Sequence, residues 1–77
     1  MQYNNFGKFI RHKRLSYFPL ISLNEFAFTN EIEPAILSRI ERNLQGVKLE
    51  TIEKLAKGFN MRASELLKEY EESEFFE

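Results

Sequence analysis

An all-α fold of five short helices in one domain is what this sequence predicts, on three observations. Apolar residues recur at three- and four-residue steps in five separate segments. Those segments are divided by proline, asparagine or glycine at positions that start or stop helices rather than strands. At 77 residues, with 43% hydrophobic and 30% charged residues and only 3 Gly and 2 Pro, the chain is composed like an ordinary helix-rich globular protein with room for one core.

The first helix starts behind Asn4 or Asn5, either of which can cap it, and carries Phe6, Phe9, Ile10 and Tyr17 on its apolar stripe. Pro19 disfavours a helical residue before it, so this helix stops near Tyr17. Ser22-Leu-Asn-Glu25 is a capping box, in which hydroxyl and carboxylate each take an otherwise orphaned amide, and it starts a second helix reaching about Thr29. After the polar connection Asn30–Glu33, Pro34 fits the first turn of a third helix, which runs to about Arg42. Asn43 tolerates the left-handed conformation that ends a helix, and Gly46 supplies a turn. Leu49, Ile52, Leu55 and Ala56 mark a fourth helix ending at Gly58 to Asn60, and Met61, Leu66, Leu67 and Tyr70 a fifth. Residues 1–70 are thus expected to form the folded domain and residues 71–77, Glu-Glu-Ser-Glu-Phe-Phe-Glu, an acidic tail.

Several classes of function are excluded by what is missing. With no Cys and one His, neither a disulfide framework nor a zinc site is available, and no cofactor or metal is expected. There is no Gly-rich loop and no carboxylate pair in a plausible cleft, so no enzymatic chemistry is expected. Met1–Asn5 lacks the charged-then-apolar pattern of a signal peptide, and the nearly apolar stretch Leu15–Leu23 is too short to span a bilayer. The expectation is a cytoplasmic protein without membrane contact.

A net charge of −1 hides an uneven distribution. Residues 1–48 carry seven Lys or Arg against four Glu, +3, whereas residues 49–77 carry four against eight, −4. The basic half contains the second and third helices, a pair of the dimensions of a helix-turn-helix. Within it, Ser22, Phe26-Ala27, Ile32 and Leu37-Ser-Arg-Ile-Glu41 stand, without a gap, where lambda-repressor-like domains carry Ser, Leu-Ala, Val and Ile-Ser-Arg-Ile-Glu. Leu49, Ile52, Leu55-Ala-Lys57, Phe59-Asn-Met61 and Ser64-Glu-Leu-Leu67 continue the likeness. Over about residues 6 to 68 the chain resembles the Xre-type, Cro/repressor helix-turn-helix family, with a two-residue insertion around Tyr17 to Ile21.

The resemblance implies a compact five-helix DNA-binding domain, acting as a homodimer on double-stranded DNA whose half-sites are related by a two-fold axis. Carried over by position, the reading face is Glu33, Pro34, Ala35 and Arg39, with Ser38 alongside. Arg39 is its one long donor, and a guanidinium can bond bidentately to guanine O6 and N7. Ala35 suits a thymine methyl, and Glu33 a cytosine amino group. Amides at Ser22, Leu23, Val47 and Lys48 stand at helix starts that can hold phosphates, helped by Arg42 and Lys48. The family places Ser, Thr, Gln or Arg where this chain has Glu-Pro-Ala, and frequently Gln where it has Leu23. Arg14 and Glu41 align with a family pair that forms an internal salt bridge.

Two further readings stand beside this one. The basic residues of the first helix, Lys8, Arg11, His12 and Lys13, either approach phosphates or form a solvated face. Phe6, Phe9, Phe26 and Phe59 fall at core spacings, but Phe18, Phe28, Tyr70, Phe75 and Phe76 have no obvious core position, which leaves them for a dimer contact or a partner or, for Phe75 and Phe76, a frayed end. The same scaffold can instead serve as a protein-interaction module, antitoxin-like or antirepressor-like, that binds a protein partner through its acidic aromatic tail. Glu31, Glu33 and the net charge favour that alternative.

Overall fold

The computed structural model describes residues 5–76. They form an all-helical body of α1 (Phe6–Tyr17), α2 (Leu23–Thr29), α3 (Pro34–Glu41), α4 (Leu49–Gly58) and α5 (Ala63–Glu71), with no strand among them. None of these helices is long and apolar enough to cross a membrane. α3 packs against both α1 and α2, and α4 against α5. The core between them is built from Phe9, Ile10, Phe26, Leu55 and Leu66, which fall at the core spacings read from the sequence, together with Ala27, Leu37 and Tyr70.

Gly7 sets how closely α1 and α3 approach. A Cβ placed on it would lie 1.7 Å from the Ile40 carbonyl oxygen, so the two backbones touch at a point where only hydrogen fits. Further along the same helix pair, Arg14 and Glu41 form a buried two-pronged ion pair, Nε donating to Oε2 at 2.7 Å and Nη2 to Oε1 at 2.8 Å. Hydrogen bonding to Glu41 raises the pKa of the Arg14 guanidinium above the usual arginine value, against the opposing effect of burial, so this arginine stays charged at any ordinary pH.

Three helices end in the same way. After α2, α3 and α4 a non-glycine residue turns left-handed: Glu31 at φ 59°, Asn43 at 64° and Asn60 at 59°. The next amide then reaches back five residues, Ile32 to Ala27, Leu44 to Arg39 and Met61 to Ala56, each at 2.8 Å. This is the Schellman arrangement, in which the residue after the left-handed one is normally apolar and packs on its own helix. Lys54 Nζ donates to the Glu31 carbonyl at 2.9 Å and steadies the first of these turns.

Several expectations are corrected. Tyr70 is fully buried (0% exposed), its ring edge-on to Phe6 at 5.3 Å, and its hydroxyl accepts from the Asn5 amide. Phe18 is half-buried, stacked on Phe59 and close to Phe26. Phe75 and Phe76 lie half-buried against the core, Phe75 beside Phe9 and His12 and Phe76 edge-on to Tyr70. Residues 72–76 therefore fold back over the start of α1 rather than trailing away. Asn5 does not cap α1 with its side chain but donates from Nδ2 to the Phe75 carbonyl at 3.2 Å; Asn4 lies outside the described residues.

Tyr17 is exposed instead of belonging to the core stripe. Lys13 is not a solvated cation: it is 3% exposed, its ammonium 2.9 Å from Glu69 Oε2 and 4.0 Å above the Tyr17 ring centroid. α5 begins at Ala63, because Met61 closes the turn after α4.

Candidate nucleic-acid interface

α3 is short, and its orientation rests on its two neighbours and on the Arg14–Glu41 pair at its last turn. Leu37 and Ile40 point into the body, which leaves the opposite side of the helix to solvent. On that side Glu33, Ala35 and Arg39 are exposed, with Pro34 and Ser38 half-buried. The Arg39 guanidinium forms no hydrogen bond or ion pair with another described residue, so its five donors are free to meet a ligand.

A concavity of about 430 Å³ runs between α3 and the start of α4 and brings Glu33, Arg39 and Lys48 together. Its ionisable lining is balanced, with Arg39, Lys48 and Lys54 facing Glu31, Glu33 and Glu50. Lys54 and Ile36 were not singled out from the sequence, and Glu31 entered only through its charge; nothing in the spacing of α4 signals that Lys54 reaches back to the turn before α3. Pro34, Ala35 and Ser38 stand outside this concavity.

The helix starts differ in what they offer an anion. Lys48 does not cap α4 through its side chain, so the amides of the first turn have no side-chain acceptor from that residue and carry the positive end of the helix dipole. At α2 the capping box is complete: Ser22 Oγ accepts from the Glu25 amide at 3.1 Å, and the Ser22 amide donates to Glu25 Oε1 at 3.3 Å. The Ser22 amide thus already has an anionic partner, and a phosphate there would have to displace or face the Glu25 carboxylate. Leu23 is half-buried against the core.

Arg42 is exposed but turned back along its helix, Nε donating to Ser38 Oγ at 3.2 Å. Arg39 and Lys48 therefore share one surface, while the Ser38–Arg42 pair occupies the neighbouring strip of α3. Such a surface can place a planar cation against a base edge and a second cation, with a helix start, against the flanking phosphate.

Comparison with family models, with curated proteins and with solved structures returns no match.

Proposed function

We propose that this chain is a sequence-specific DNA-binding transcriptional regulator of the Xre type, in which α2, the connection Asn30–Glu33 and α3 act as a lambda-repressor-like helix-turn-helix. The observation that carries the reading is the free, exposed Arg39 on the outward face of α3, beside Lys48 in one concavity. α3 enters the major groove, Arg39 bonds a guanine edge, and Lys48 with the start of α4 holds a phosphate. Two copies read the two halves of a two-fold-related operator.

The test is selection from a random duplex pool at low and moderate salt, followed by titration of the enriched sequence. With Arg42 and Lys48 as the phosphate cations, the log–log salt slope is about −2 per copy. Arg39→Ala is expected to weaken binding by about 1–3 kcal/mol and relax preference at one guanine position. No enrichment at any salt concentration overturns the reading.

Two observations favour the second reading, a protein-interaction module with an antitoxin-like or antirepressor-like role. The three carboxylates in the concavity offset its three cations, and Phe28 stands 70% exposed on α2. Failure of DNA selection together with a protein partner lost on Phe28→Ala would establish it.

A further inference from the structure

A concavity of about 700 Å³ lies between the start of α1, the α3–α4 connection and α5, and adjoins the Arg39 surface at Gln45 and Gly46. Its floor is apolar: Phe6, Val47, Ile52 and Leu67. No ionisable side chain lines it; the polar groups there are the amides of Asn43 and Gln45. On its rim Leu44 is 64% exposed.

Leu44 departs from its two counterparts. At the other two Schellman ends the apolar residue after the left-handed turn is covered, Ile32 in the core and Met61 against it. Each reaches back to an alanine buried in that core, Ala27 or Ala56. Leu44 reaches back to Arg39, an exposed cation, and so has no apolar mate on its own helix. The left-handed turn at Asn43 presents it to solvent beside an apolar groove.

From this we infer that the groove is a self-complementary interface and that its occupant is Leu44 of a second copy of this chain. A two-fold contact requires one patch to carry both knob and hole, and here Leu44 and the Phe6–Val47–Ile52–Leu67 floor belong to one patch. Across a two-fold axis every charge near the axis meets its own like, and this lining has none to repel. The molecule measures 31 × 25 × 23 Å, so two copies in contact across this face have centres roughly 23 to 31 Å apart, of the same order as the roughly 34 Å between half-sites one helical turn apart. That last agreement rests on the DNA-binding reading; the groove and Leu44 do not.

Sedimentation equilibrium of the full chain without DNA, from micromolar to millimolar concentration, tests it. A reversible dimer is expected, weakened by roughly tenfold or more in Leu44→Glu and unchanged in Leu20→Glu, which alters an even more exposed leucine outside the groove. Leu44→Ser provides the same test should Leu44→Glu lose its helical circular dichroism. A monomer at every concentration, or a dimer indifferent to both Leu44 variants, overturns the proposal. A dimer that binds no DNA supports the interface while sinking the operator reading, and a Leu44→Glu monomer that still binds a single half-site supports both.

Discussion

Replacing Gly7 by alanine is expected to cost more than any other single-methyl change in this molecule. In an isolated helix the substitution favours folding by about 1 kcal/mol, because alanine has the higher helix propensity. Here the added Cβ meets the Ile40 carbonyl oxygen at 1.7 Å, whereas ordinary contact begins at 3.4 Å, so α1 and α3 must separate by 3.4 − 1.7 = 1.7 Å at that point. The obstacle is backbone and cannot rotate away. Such a shift strips contacts from Ile10 and Leu37, which are fully buried, and loosens the Arg14–Glu41 geometry further along the same interface. Losing the packing of one or two core side chains is worth about 3–5 kcal/mol. After the propensity gain the net cost is about 2–4 kcal/mol. Against a total of about 4–12 kcal/mol for a domain of this size, that takes a large share of the stability. Thermal and urea unfolding followed by far-UV circular dichroism should show a melting temperature lowered by about 10–30 °C. A variant as stable as the parent, or more so, would refute the close-approach argument and leave only helix propensity at work.

Other consequences are open to measurement. Glu41→Gln leaves the Arg14 cation buried without a carboxylate and should cost about 3–5 kcal/mol in urea denaturation, while the paired change Arg14→Met with Glu41→Leu should be near neutral or stabilising; a harmless single change would count against a buried ion pair. The raised pKa of Arg14 means its contribution is complete below the ordinary arginine value and is lost only as pH rises through the still higher folded value. Stability should therefore show no decline from this pair between neutral and mildly alkaline pH. Glu31→Gly removes the Cβ penalty of a left-handed residue, offset in part by greater freedom of the unfolded chain, and should stabilise by about 0.5–1 kcal/mol; a drop in the urea midpoint would contradict it. Phe75→Ala should cost about 1–2 kcal/mol and speed amide hydrogen exchange in the first turn of α1, whereas unchanged exchange would mean that residues 72–76 do not hold that turn.

The helices were legible because their signals are local. Hydrophobic period, the Ser22–Glu25 box and Pro34 each act within a few residues, and all five helices stand within two residues of where those signals place them, α5 showing the largest offset. Whatever depends on one helix meeting another was not legible. Gly7 reads as a mild defect in a helix until α3 is laid across it, and Lys13 reads as a solvated cation until Glu69 and the Phe59 ring join Tyr17 of its own helix around it. Glu31 carries no sign of a left-handed turn, since asparagine or glycine would be its usual occupant; the packing of Ile32 imposes it. The aromatic residues of the last segment were misread for the same reason. An acidic run suggests solvent, and only the fold reveals that Tyr70, Phe75 and Phe76 close over α1. Of the candidate surface, exposure of Glu33, Ala35 and Arg39 follows from helix period alone, but the convergence of Glu33 and Arg39 with Lys48 and Lys54 needed the placement of α4.

The clasp formed by Asn5, Tyr70 and Phe75 makes the linear order of this chain partly arbitrary. With Asn5 Nδ2 only 3.2 Å from the Phe75 carbonyl, a linker of a few residues would join these two positions covalently, since a residue can span about 3.3 Å. New termini could then open in the exposed link at Pro19–Leu20, where Leu20 is 96% exposed and contributes nothing to the core. Such a circular permutant would keep α2 and α3 in one uninterrupted piece while carrying a fused partner at the opposite end of α1 from the clasp.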